Sequence, residues 1–226
     1  MKPKAKKIIL VVSLSVIIVV SGLAITGLVL NKLKGNNGDG DETFDPGNRY
    51  ESTLMDYMGV VYNDRNDIYT FTGGYSETVA CPWGAIHPGI DYALLNDSDV
   101  IAAVPGQVVD IMVQDYGESE ENRFMIHVVI RFNVSLTVDY AFEPWTNISA
   151  NKDHQLDLLD VEEGQWVQKG DKIATFLKAG ISAHIHFMVH ENNIVKCPHY
   201  YLGTADYVEI MEMIDTFQTG WELCYH

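Results

Sequence analysis

Between Ile68 and Leu177 the apolar residues of this chain come in runs of five to ten, separated by glycines and polar clusters. The runs Ile68–Thr72, Val100–Val104, Gln107–Val113, Arg123–Phe132, Leu136–Phe142 and Lys172–Leu177 are rich in β-branched and aromatic residues. That pattern predicts strands rather than helices, and so a mainly β domain built as a β-sandwich or partly open barrel. Helical spacing takes over from Ala205 to Phe217, where Val208, Met211, Ile214 and Phe217 line one side. A second short helix is expected around Tyr50 to Met58. Val104–Asp110 and Val161–Ile173 echo each other, each placing glycine turns before β-branched residues, as in hybrid folds built from a duplicated motif.

The N-terminal segment belongs to a different class. Ile8 to Leu30 is 23 residues without a charge. As a helix it reaches about 35 Å, against a bilayer core of roughly 30 Å. A cleavable signal has a shorter apolar stretch and a small-residue cleavage site, so an uncleaved anchor is expected. Four lysines (Lys2, Lys4, Lys6, Lys7) precede it and two (Lys32, Lys34) follow it, which places residues 1–7 in the cytoplasm and the rest outside. Residues 31–49, with Gly35-Asn-Asn-Gly-Asp-Gly-Asp-Glu42 among them, read as a flexible linker. Residues 50–226 form the extracytoplasmic domain, long enough for one sizeable core.

Charge narrows the partners. Six of the fifteen basic residues and none of the 31 acidic ones lie before Gly35, leaving nine basic groups on the exported part. A surface so acidic repels nucleic acid and favours neutral or cationic ligands and divalent cations. Cys81, Cys197 and Cys224 allow three pairings, among which the sequence does not choose. Asn96-Asp-Ser98, Asn133-Val-Ser135 and Asn147-Ile-Ser149 are formal glycosylation sequons.

Two histidine clusters carry the chemistry: His87-Pro-Gly-Ile-Asp91 and His184-Ile-His186. In an extended strand, side chains two and four residues apart share a face. His87 with Asp91, and His184 with His186, are therefore expected to project together. Pro88 and Gly89 disfavour a helix through the first pair. Around the second, Ala183-His-Ile-His-Phe-Met-Val189 alternates as a half-buried strand does. Together the clusters look like a split metal site.

Taken in order, His-x-Gly-x-Asp, Val104-Pro-Gly-Gln-Val-Val109, Val161-x-x-Gly-x-x-Val-x-x-Gly-Asp-x-Ile173 and His184-x-His-Phe-x-Val189 resemble the lysostaphin-type (LytM-like) zinc metallopeptidases, a family of peptidoglycan endopeptidases. The resemblance runs from about Phe71 to Val189. It implies that His87, Asp91 and His186 hold zinc (Zn2+) and that His184 acts in catalysis as general base and acid. Two imidazoles and one carboxylate leave the fourth position of a tetrahedral ion for water, as a catalytic zinc requires. The implied activity is a membrane-anchored endopeptidase acting on peptides of a cell wall or other cell-surface polymer.

One position departs from the family. A second histidine is expected in a Tyr-x-His-Leu strand, and in Thr137-Val-Asp-Tyr-Ala-Phe-Glu-Pro144 it falls on Phe142. Losing one such donor costs about 10²–10³ in rate. His154, in the polar stretch Asn147 to Gln155, is one substitute; the alternatives are a zinc-containing binding or regulatory domain with weakened catalysis, and modest hydrolysis from zinc and His184 alone. His127 reads as a core or edge residue, and His190, His199 and His226 lack a partner in sequence. Biotinyl and lipoyl carrier domains share the paired glycine-turn strands, but they need a hairpin lysine that this chain lacks.

Overall fold

The computed structural model describes residues 58–226. The expected cytoplasmic tail (residues 1–7), anchor (8–30) and linker (31–49), and all but the last residue of the Tyr50–Met58 segment, lie outside the described residues. Met58 itself forms a bridge to Leu202. Among the described residues no helix is long and apolar enough to cross a membrane.

Among the described residues twelve strands follow one another: β1 (Ile68–Phe71), β2 (Tyr75–Ser76), β3 (Ile90–Leu94), β4 (Asp99–Ile101), β5 (Gly106–Asp115), β6 (Phe124–Arg131), β7 (Leu136–Glu143), β8 (Trp166–Val167), β9 (Lys172–Thr175), β10 (His184–Glu191), β11 (Ile194–Lys196) and β12 (Cys224–Tyr225). Helix α1 (Ser149–Asp157) lies between β7 and β8, and α2 (Thr204–Phe217) between β11 and β12. The principal sheet is antiparallel in the order β1-β3-β10-β7-β6-β5-β8, with β11 paired to the far end of β10. β4 pairs with β9, and β12 with β2. None of these sheets closes into a barrel. Strand content and the C-terminal helix agree with the sequence expectation; the partly open barrel gives way to one open sheet with two small satellites.

Alternation along the central strands sorts the side chains. Ile126, Val128, Tyr140, Phe142, Ile185 and Phe187 are buried and face the core. Between them on β10 stand His184, His186 and Met188, which therefore occupy the other face. Tyr140 is fixed in the core by the Ala103 amide, which donates to its hydroxyl oxygen at 2.6 Å. Helix α2 presents Ile210, Met213 and Ile214 to the same core.

The stretch read as a polar loop around His154 is helical in α1. Its sequence, Ser-Ala-Asn-Lys-Asp-His-Gln-Leu-Asp, has no apolar stripe, so periodicity could not reveal it. It is held instead by its ends. The Thr146 hydroxyl oxygen accepts from the Ile148 amide at 3.1 Å and from Asn151 Nδ2 at 2.9 Å, while buried Gln155 donates to Thr175 O and accepts from Leu177 N.

Cys197 and Cys224 form a disulfide, and Cys81 is free. The bridge spans 27 residues and ties β12 to the segment just after β11; β12 also pairs with β2, where Ser76 exchanges backbone hydrogen bonds with His87. Loop-closure entropy for that separation contributes about 3.5 kcal/mol. Cys197→Ser is expected to lower Tm by roughly 7–14 °C in a thermal melt. An unchanged Tm would show that the C-terminal segment is held without the bridge.

Candidate metal centre and active site

The site forms where β3, β7 and β10 lie side by side. Register pairs His186 with Asp91 on one side and Ala141 on the other, and His184 with Glu143. His87 reaches the same place by another route. It precedes β3 in a bend at Pro88-Gly89, so the expectation that His87 and Asp91 share one strand is corrected. The bend, not strand alternation, turns His87 back toward Asp91. Gly89 permits this packing, since a Cβ there would stand 2.6 Å from Phe187 O and 2.8 Å from His186 Nε2.

Three donor atoms form a small triangle. His87 Nε2 lies 3.0 Å from His186 Nδ1 and 3.1 Å from Asp91 Oδ1, and His186 Nδ1 lies 2.8 Å from Asp91 Oδ1. His87 Nδ1 faces Gly74 O at 2.6 Å, where it can only donate, so Nε2 is the lone-pair nitrogen of the neutral ring. Lone pairs and a carboxylate gathered this closely repel one another unless a proton or a cation lies between them. Tetrahedral zinc with bonds of about 2.0–2.1 Å needs ligand separations of roughly 3.3 Å, so a few tenths of an ångström of expansion accommodates it. The donor set fits the ion that the sequence resemblance implies.

Electrostatics agree with the geometry. Burial alone would raise the Asp91 carboxyl, but hydrogen bonds from His186 and His87 outweigh it and hold it well below the usual carboxylate range. Burial would lower His87, and the Asp91 carboxylate outweighs that too, leaving His87 above the ordinary histidine value. Protons and a metal therefore compete for the same atoms.

His184 sits beside the triangle. Its Nδ1 donates to Ser182 O at 2.8 Å, which leaves Nε2 directed inward, 3.4 Å from Asp91 Oδ1 and 3.6 Å from Glu143 Oε1. Trp145 flanks it, with ring centroids 5.9 Å apart.

Glu143 is the site residue that sequence reasoning missed. The expected second histidine was matched to Phe142, but Phe142 is fully buried, opposite Ile126 and Ile185 on the core face. Its neighbour Glu143 points to the site, and Asn122 Nδ2 donates to its second oxygen. Burial pushes the Glu143 carboxyl up, His184 opposes this, and the Asp91 charge adds to it. Glu143, His184 and His186 form a second group able to hold a cation, sharing His186 with the first. A one-residue offset in a strand flips the face, and that is why the sequence pointed to the wrong side chain.

Phe142→His, which the sequence would recommend for improving catalysis, instead puts an imidazole into the core. It is expected to cost about 2–5 kcal/mol through lost packing and unpartnered ring nitrogens. Denaturant titration should show this, with no gain in hydrolysis. A stable Phe142→His chain with faster hydrolysis would contradict the assignment of faces.

The remaining histidines stand apart. His127 Nδ1 lies 3.0 Å from both Asp139 oxygens, in a buried pair one strand beyond the site. Burial would lower His127, and Asp139 raises it above the ordinary value. His154 is exposed on α1, His199 stacks on Tyr207 at 4.2 Å, and His226 Nδ1 lies 3.6 Å from Glu77.

No family model and no curated protein matches the chain. Solved structures do. A zinc-containing peptidase from Vibrio cholerae aligns at 22% identity and a TM-score of 0.44, over 63% of this chain and 39% of that one. The catalytic domain of the prophage-encoded M23 protein EnpA from Enterococcus faecalis aligns at 21% identity and 0.42, over 59% and 92%. That of the antimicrobial peptidase lysostaphin from Staphylococcus simulans aligns at 19% identity and 0.39, over 59% and 91%. The chain therefore spans about two fifths of the Vibrio protein and nearly all of the two catalytic domains. Over these stretches, the chain is similar to M23 and lysostaphin-type peptidases.

Proposed function

We infer that the domain is a zinc-dependent endopeptidase. The observation that carries this reading is the convergence of His87 Nε2, Asp91 Oδ1 and His186 Nδ1 within 3.1 Å of one another, with His184 Nε2 directed at the same point. When bound, zinc supplies a Lewis acid that polarises a peptide carbonyl and makes water a nucleophile near neutral pH.

The chain's own residues supply the rest. Gly74 O fixes the His87 tautomer so that the lone pair of Nε2 faces the ion. Ser182 O does the same for His184, whose Nε2 then takes a proton from the attacking water and returns one to the leaving amine. Glu143 faces the same nitrogen and is the second group able to hold that proton, in the role for which the family resemblance anticipates a histidine. Burial suits it to the task, since a carboxyl with raised proton affinity can act as an acid nearer neutral pH. With Phe142 in the core, its presence no longer favours a weakened, binding-only domain.

The test is turnover of a broad peptide panel by the full-length chain in detergent, followed by mass spectrometry. Cleavage should stop with a zinc chelator and return with zinc. Cleavage that survives chelation contradicts the reading, and stoichiometric zinc without cleavage favours a binding module.

The location proposed for the domain is outside a membrane that residues 8–30 cross. The uncharged run, the lysine bias and the Cys197–Cys224 bridge support this, since disulfides persist in oxidising compartments. A peptide of a cell-surface polymer is the substrate class that suits such a location. Release of the full-length chain from membranes by alkaline carbonate would contradict it.

A further inference from the structure

Beside His184 lies a cavity of about 420 Å³, lined by Glu121, Trp145, Thr146, Asn147, Ile181 and Ser182. That volume falls within the range of sites that bind small molecules or side chains, roughly 300–1,000 Å³. Two of its walls are shared with the catalytic region. Ser182 O accepts from His184 Nδ1, and the Trp145 ring lies against the His184 ring. A substrate placed for proton exchange at His184 therefore has this cavity next to it.

The wall is built rather than incidental. Trp145 has φ +57°, a conformation that bulky L residues rarely adopt. The neighbouring backbone enforces it: Pro144 O accepts from Ala179 N at 3.1 Å and from Gly180 N at 2.9 Å. A Cβ on Gly180 would lie 2.3 Å from Trp145 O, so only glycine allows this approach. Thr146 is buried, accepts from Ile148 N and Asn151 Nδ2, and offers its carbonyl to Arg123 N at 3.1 Å. Backbone strain of this kind gathers where ligands are clamped.

The lining specifies a chemistry. It combines an indole, the 87% exposed Ile181 and the Glu121 carboxylate, and it contains no basic side chain. Cations on the adjoining segments are engaged elsewhere: Arg123 forms two 2.8 Å hydrogen bonds to Asp115, Lys152 Nζ lies 2.8 Å from Asp153 Oδ1, and Lys178 lies over the Tyr69 ring. Indole faces attract ammonium groups, and Ile181 offers apolar surface to a methylene stem. We propose that this cavity is a substrate subsite for a lysine-type side chain, an aliphatic stem ending in an ammonium group, adjoining the bond that is cut. The proposal rests on the peptidase reading for its place beside a scissile bond.

Binding separates the two. Capped pentapeptides Gly-Gly-X-Gly-Gly, with X lysine, norleucine or glutamate, are titrated by calorimetry into the full-length chain kept in chelator, so that nothing is cut. Lysine is expected to bind about tenfold more tightly than norleucine, and glutamate most weakly. Glu121→Gln, at an exposed position, should reduce the lysine preference about threefold, and Trp145→Ala should remove most of it while circular dichroism stays unchanged. Equal affinity for lysine and norleucine, no measurable binding of either, or a preference that both variants retain would overturn the proposal. A lysine preference in a chain that neither holds zinc nor cleaves peptides would leave the subsite standing and remove the peptidase reading.

Discussion

His186→Ala should reduce bound zinc from about one ion per chain to less than a tenth of that after dialysis against trace zinc. His186 Nδ1 is the vertex closest to Asp91 Oδ1, at 2.8 Å, and alanine leaves two donors where a catalytic zinc takes three. Loss of an outer-shell partner alone typically costs 10- to 100-fold in affinity, so loss of a direct donor should exceed about 100-fold, or roughly 2.7 kcal/mol. Asp91→Asn should do as much by a different route, because it removes the charge that draws a cation between two imidazoles. His199→Ala, at a ring stacked on Tyr207, should keep its zinc. Metal binding should also fail on acidification. The Asp91 carboxylate holds His87 above the ordinary histidine value, so protons compete with the metal for its Nε2 increasingly as pH falls. Zinc content by mass spectrometry against pH checks both points, and a His186→Ala chain retaining its zinc would contradict them.

Glu143→Gln and His184→Ala should each slow peptide hydrolysis by about 10²–10⁴ while leaving the zinc in place. His184 Nε2 is the inward nitrogen, and its removal leaves water without a base. Glu143→Gln is the sharper change. It keeps the volume of the side chain and an oxygen for Asn122 Nδ2, and it deletes only the capacity to carry a proton. The pH profile adds a readout that a merely structural role would not move: the acid limb or the alkaline limb of kcat should shift or vanish in Glu143→Gln. A Glu143→Gln chain that turns over like the wild type would leave His184 as the sole acid–base group.

Much of this was legible in the sequence because it follows from period and spacing. The strands β5, β6, β7 and β10 stand within a few residues of their alternating runs, and the helix expected at Ala205–Phe217 is α2. His87, Asp91, His184 and His186 were marked by their residue types, and the structure brings their ring nitrogens and one carboxylate oxygen together. What was missed depends on quantities that a single chain does not display. Glu143 was overlooked because a motif match fixed on Phe142, and only the cross-strand register shows which of two neighbours faces the site. The spacing of His87 and Asp91 predicts one strand, whereas His87 bridges Ser76 ahead of a bend at Pro88-Gly89, because two routes through space bring residues i and i+4 together. Helix α1 has no apolar stripe and is held by Thr146 and Gln155, contacts that are not periodic. The Cys197–Cys224 pairing follows from where β12 meets the segment after β11, a tertiary fact. The cavity beside His184 arises from Trp145, whose left-handed backbone is set by Pro144 and Gly180 from outside its own segment.

If His87, Asp91 and His186 hold one ion, a crystal of the protein grown with zinc will reveal it directly, with diffraction collected on either side of the zinc absorption edge. A single anomalous peak is expected within about 2.0–2.2 Å of His87 Nε2, Asp91 Oδ1 and His186 Nδ1. No peak at those three atoms, or a peak held by Glu143 and His184 instead, would contradict it.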